Sequence, residues 1–118
     1  MHELGILFEV IQRVAPLAYD NGVDRIRKLT LEIGEASSVV PEYIEKLYPD
    51  ACVGTPLEDS ELEIVTVPAV GKCKVCGTEY LVVPHSGVCP HCTLSNYSIV
   101  AGKDFRIKEI AIPEIMEG

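Results

Sequence analysis

No apolar run in these 118 residues approaches the 18 or so needed to cross a bilayer. The opening Met1-His2-Glu3 lacks the basic residues that begin a secretory signal. Both absences point to a soluble, cytoplasmic protein without a membrane span. Positive charge is scarce as well: ten Lys and Arg stand against eighteen Asp and Glu, for a net charge of -8. Phosphate backbones are bound by clustered Lys and Arg, and no such cluster occurs, so a nucleic-acid partner is not expected. Internal repeats and low-complexity segments are missing. No Ser or Cys nucleophile is paired with a base at recognisable spacing, and Cys52 has no basic neighbour closer in sequence than Lys46. The chain therefore does not read as an enzyme.

Cysteine, by contrast, occurs five times, and four of the five are arranged. Cys73-Lys74-Val75-Cys76-Gly77 is followed, after twelve residues counted from Gly77 to Val88, by Cys89-Pro90-His91-Cys92. Two C-x-x-C pairs set a short hairpin apart suit a tetrahedral metal, because each tight turn presents two sulfurs and the strands between bring the turns face to face. Gly77 and Gly87 stand where such turns favour positive φ. The same cysteines could instead form two disulfides or remain free thiols, but an intracellular compartment keeps thiols reduced and favours zinc. A shell filled by four thiolates leaves no position for substrate, so this metal would be structural. Cys52, the odd cysteine, reads as a buried free thiol. A chain of this length has room for one ordinary domain, or for a small domain plus a metal-held module. Between Gly71 and Lys103, Lys72, Lys74 and Lys103 face only Glu79, so the acidic balance lies elsewhere.

Taken in order, Leu4, Leu7, Phe8, Ile11, Val14, Ala15 and Ala18 recur at helical spacing, and Asn21-Gly22 ends that helix. Pro16 inside the pattern predicts a kink. Ile26 to Ile33 alternates as a half-buried strand, with Leu29, Leu31 and Ile33 on one face and Lys28, Thr30 and Glu32 on the other. Ser37 or Ser38 could cap a second helix whose first turn accepts Pro41 and whose apolar face holds Val40, Tyr43, Ile44, Leu47, Tyr48 and Ala51. Pro49 either ends this helix near Leu47 or bends it. Glu61 to Val67 and Asp104 to Ile112 read as two further long strands, the last stopped by Pro113. Pro68, Gly71 and Gly102 bracket the cysteine module, whose short strands fall at Glu79 to Val83 and Tyr97 to Val100. The expected fold class is α+β: a three-stranded sheet with two helices on one face, carrying an inserted four-cysteine zinc ribbon. Residues 1–68 and 104–118 would form the main domain and 69–103 the inserted zinc-binding domain.

The other unusual chemistry is at the start. The α-amino group of Met1, the backbone amide of His2 and the His2 imidazole can close two fused chelate rings on one divalent ion, with the Glu3 amide or carboxylate in the fourth position. Met1 should survive processing because a bulky His follows it. Planar, nitrogen-rich coordination suits Ni(II) or Cu(II), whereas zinc prefers a tetrahedron. Glu3 opens a predicted helix, which would hold the terminus near the body.

Met1-His2-Glu3, Ile33-Gly34-Glu35 after the first strand, the paired C-x-x-C motifs with Gly87-Val88-Cys89-Pro90-His91-Cys92, and Arg106-Ile107-Lys108-Glu109-Ile110 together resemble the HypA family of nickel-incorporation proteins for nickel–iron hydrogenase maturation. The resemblance runs end to end. It implies a two-domain nickel metallochaperone in which His2 is the essential nickel ligand, supported by the Met1 amine and the Glu3 backbone or side chain. Cys73, Cys76, Cys89 and Cys92 would hold one structural Zn(II), and Ni(II) would be transferable cargo. The implied partners are a HypB-type GTPase and the hydrogenase large subunit, with urease and its accessory proteins supplied in some organisms. A homodimer is left open, and Pro16 and Pro49 are not features that the family pattern calls for.

Two other readings compete. Paired C-x-x-C knuckles also hold a single iron in rubredoxin-like electron carriers, and spacing does not distinguish iron from zinc. A zinc-ribbon adaptor that only docks other proteins is the second. His91 reads as an exposed turn residue, and His85 as an alternative metal ligand under changed conditions.

Overall fold

The computed structural model describes residues 2–113. Helix α1 (His2–Asp20) is followed by strand β1 (Lys28–Gly34), helix α2 (Pro41–Ala51), β2 (Glu61–Val67), β3 (Val70–Cys73), β4 (Glu79–Leu81), β5 (Tyr97–Ala101) and β6 (Phe105–Ala111). Three strands assemble in the order β2-β1-β6 and three in the order β4-β3-β5. The fold is α+β, as expected.

Two compact units divide the chain: Met1–Leu31, Val40–Ile64 and Ile107–Gly118 make one, and Glu32–Val39 with Val65–Arg106 make the other. The first is built on the helices. One stripe of α1, formed by Leu7, Val10, Ile11, Val14 and Ala18, is buried, as are Ile26, Leu29, Leu31, Ile44, Tyr48, Cys52 and Leu57. Each large apolar side chain taken out of water contributes about 1.5–3 kcal/mol, so this core is ample for a small unit. Helix α1 continues through Pro16, and α2 runs past Pro49 to Ala51 rather than ending near Leu47.

Several local expectations need correction. Phe8 is 48% and Tyr43 55% exposed, so neither belongs to the buried faces of its helix. A helix buries only the arc that a neighbour covers, and both residues lie at the margin of a wide apolar stripe. The cap of α2 is not a serine: Val40 occupies that position with no side-chain hydrogen bond, and Pro41 begins the helix. Ser37 instead accepts the Val39 amide at 3.3 Å, and Ser38 takes a positive φ of 67°. Thr30, placed on the polar face of β1, is buried, and its hydroxyl has no partner among the described residues.

The second unit contains a strand that periodicity did not reveal. β3 is the central strand of its sheet, antiparallel to β4 with Gly71 opposite Tyr80, and antiparallel to β5 with a register shift between Val70 and Gly71. Gly71 is required there by space: a Cβ would stand 2.9 Å from Val82 Cγ2 and 3.0 Å from Tyr97 Cδ2. Buried Cys73, Tyr80 and Cys89 make the centre of this sheet, with Cys92 and Tyr97 packed against it. Such a core is small, and three of its five members are sulfurs.

Candidate metal centre

β3 ends at Cys73 and hands the chain to a tight turn in which the Gly77 amide donates to the Cys73 carbonyl at 3.0 Å. Gly77 has φ +78°, the conformation that lets the chain double back after Cys76. The second turn repeats this arrangement, with the Thr93 amide donating to the Cys89 carbonyl at 2.9 Å. Here, however, the left-handed residue is Thr93, with φ +65°, rather than a glycine. Gly87, also at positive φ, serves differently, since its carbonyl accepts the Tyr80 and Ser95 hydroxyls, each at 3.0 Å. Those two bonds fix the chain two residues before Cys89.

The two turns bring all four sulfurs within 4.8 Å of one another. Cys73 Sγ lies 3.4 Å from Cys92 Sγ, and Cys76 Sγ lies 3.6 Å from Cys89 Sγ, so each close pair joins one turn to the other. Zn–S bonds of about 2.3 Å in a tetrahedron separate the sulfurs by roughly 3.8 Å, and this set fits. All four cysteines are free thiols rather than disulfides. Amides prepare them for a cation. The Cys76 and Val75 amides donate to Cys73 and lower its thiol below the usual range. The Thr78 hydroxyl and amide pull the Cys76 thiol down to about 5. The Leu94 amide pulls the Cys92 thiol down too, but burial and the neighbouring sulfurs outweigh it and push it up to about 12. Four thiolates so close repel one another, and a divalent ion removes that repulsion. With every corner of the tetrahedron taken by protein, such an ion has no open position for chemistry.

The histidines near the sulfurs are not in the cluster, which among the described residues contains cysteines alone. His85 packs edge-on against the Tyr80 ring at a centroid distance of 6.0 Å, and His91 is exposed in the second turn. Cys52 is also apart from the cluster and buried.

At the start of α1, His2 is exposed and Glu3 is buried, and His2 Nε2 lies 3.2 Å from Glu3 Oε2. Nδ1 is the ring nitrogen that can close a six-membered chelate together with the His2 backbone amide. The carboxylate sits in the first turn, where the helix dipole favours negative charge. Met1, expected to supply the amine, lies outside the described residues.

Fold and sulfur cluster together define a small α+β metal-binding protein with a closed thiolate centre. A family model described as hydrogenase/urease nickel incorporation, metallochaperone, HypA matches residues 1–112. The chain belongs to this HypA family, whose members are metallochaperones and not enzymes. It is 38% identical to the hydrogenase maturation factor HypA of Trichodesmium erythraeum, over 98% of each chain. It is 37% identical to that of Rippkaea orientalis, again over 98% of each. The fold is similar to the solution structure of the nickel metallochaperone HypA from Helicobacter pylori, with a TM-score of 0.62 and 20% identity over 93% of this chain and 96% of that one. No helix of the described residues is long and apolar enough to cross a membrane.

Proposed function

We propose that this protein is a cytoplasmic nickel metallochaperone that delivers Ni(II) for nickel–iron hydrogenase maturation. Family membership along nearly the whole chain is the observation that carries this reading. His2 is the essential nickel ligand, with the Met1 amine and the Glu3 backbone or side chain completing the site. Residues 69–103 are the zinc-binding insertion, and residues 1–68 with 104–118 the nickel-binding domain. Cys73, Cys76, Cys89 and Cys92 hold one structural Zn(II), a role supported by their mutual distances. A HypB-type GTPase, the hydrogenase large subunit and, where present, the urease accessory proteins are the partners. A homodimer is compatible with this reading, because both metal sites are drawn from the residues of one chain.

A carrier must collect its ion and then give it up. A chelate at the chain's first residues does both, because its nitrogens are accessible and each proton that returns to them weakens the metal. The thiolate centre does neither and keeps its ion. Nickel calorimetry and metal analysis on protein with a free, untagged N-terminus test the assignment. His2→Ala should abolish nickel binding and leave one zinc per chain and the fold unchanged. An unaltered nickel titration in that variant would overturn the role of His2, and a red protein containing iron would overturn the zinc.

A further inference from the structure

The last residue of β1 and the turn after it make four bonds to the two stretches of chain that lead into and out of the ribbon. All the residues concerned belong to the second compact unit. On the way in, the Glu35 amide donates to the Val67 carbonyl at 2.8 Å, and Glu35 Oε1 accepts the Ala69 amide at 3.1 Å. One residue thus holds the backbone on both sides of Pro68, which has no N–H of its own. On the way out, the Gly34 amide donates to the Asp104 carbonyl and the Ala36 amide to the Gly102 carbonyl, each at 2.8 Å.

These three pieces of backbone lie directly against one another. A Cβ on Gly34 would stand 2.3 Å from the Gly102 carbonyl oxygen, and a Cβ on Gly102 would stand 2.2 Å from the Pro68 carbonyl oxygen. Both positions therefore need glycine for space, and Gly102, with φ +78°, needs it for conformation as well. Ala69 continues the connection: it is buried, its carbonyl accepts the Val82 amide at 3.0 Å, and the next residue begins β3, which ends at Cys73.

We propose that Gly34-Glu35-Ala36 is a clasp that holds the two ends of the cysteine ribbon together, and that the Glu35 carboxylate is its latch. Glu35 is a positioning residue, acting on the metal centre through Ala69 and β3. Without it the way into the ribbon keeps only the Glu35 amide bond to Val67, so β3 loosens from the Val70 end and Cys73 is held less firmly. Its contribution is an acceptor oxygen at the right reach, and the carboxylate charge strengthens the bond it accepts.

Amide exchange on the full-length zinc-loaded chain, together with zinc release to a chromogenic chelator, tests this. In Glu35→Ala the Ala69 amide should exchange about tenfold faster, the effect of one lost hydrogen bond. The Arg27 and Glu61 amides, which bond elsewhere, should stay within about twofold. Zinc release should quicken about threefold or more. Glu35→Gln, which keeps an acceptor oxygen at the same reach but without the charge, should restore most of both. If Glu35→Ala does not fold, Glu35→Asp, which withdraws the oxygen by one methylene, carries the same expectation. Unchanged exchange at Ala69 in the variant that folds would overturn the clasp, as would equal acceleration in Glu35→Gln. The release arm rests on the zinc proposed above. A chain without zinc would defeat that reading while leaving the exchange arm to decide the clasp.

Discussion

Stripping the proposed zinc from the thiolate centre should unfold the ribbon and spare the helical unit. The ribbon buries Cys73, Tyr80 and Cys89 and half-buries Cys92 and Tyr97. Two tyrosines contribute on the order of 3–6 kcal/mol together at most. A structural zinc contributes about 10–16 kcal/mol at neutral pH, several times as much. The helical unit owes nothing to the ion, since its core is Leu7, Val10, Ile11, Val14, Leu29, Leu31, Ile44 and their neighbours. Amide exchange before and after chelation separates the two. The Gly77 and Thr93 amides, whose bonds close the two turns, should lose protection, while the Arg27 and Glu61 amides should keep theirs. Four thiols should become reactive toward a disulfide reagent, and buried Cys52 should stay slow. A metal-free chain whose turn amides remain protected would refute the reasoning, because it would show that packing alone sustains the ribbon.

Two further expectations come from single residues. Thr93 holds a left-handed conformation that costs a non-glycine residue roughly 1–2 kcal/mol. Glycine's extra chain entropy returns about 0.5–1 kcal/mol of that. The exposed Thr93 hydroxyl also donates to the Cys92 carbonyl at 2.6 Å, and losing that bond offsets part of the remainder. Thr93→Gly should therefore stabilise the zinc-loaded ribbon by less than about 1 kcal/mol, seen as slower zinc loss to a chelator, and a faster loss would contradict it. Burial pushes the Cys52 thiol above its ordinary value of 9.0 and the Tyr48 hydroxyl above 10.0, so the folded state keeps both protonated. The unfolded chain ionises first, and their contribution, complete below about pH 8, is lost as pH rises beyond it. Urea midpoints should fall between about pH 8.5 and 10.5, less steeply in Cys52→Ala, and a parallel decline in that variant would argue against the thiol's share.

Much of this protein was decided by short stretches of its sequence. The two C-x-x-C turns put their sulfurs in place locally, and Leu7, Val10, Ile11, Val14 and Ala18 share a side of α1 because 3.6 residues make a turn. The long strands β1, β2 and β6 declare themselves through β-branched and alternating residues. The HypA resemblance rests on the same local motifs, and the match to the family spans residues 1–112.

Other features exist only because distant segments meet. Val70-Gly71-Lys72-Cys73 has no strand signature, and it becomes the central strand β3 because β4 and β5 supply its hydrogen bonds from both sides. Thr93 is forced into the conformation that Gly77 adopts at ease, since closing the second turn on Cys89 demands it. Phe8 and Tyr43 are apolar yet exposed, and Thr30 is polar yet buried, because coverage depends on what packs above a residue and not on its own chemistry. Nothing local to Glu35 names its partner, and only folding brings the Ala69 amide, 34 positions away, within 3.1 Å of its carboxylate. Spacing along the chain selects the ligands of a metal. Contacts between segments far apart in sequence decide what holds those ligands in place, since a hydrogen bond needs both partners and the chain names only one at a time.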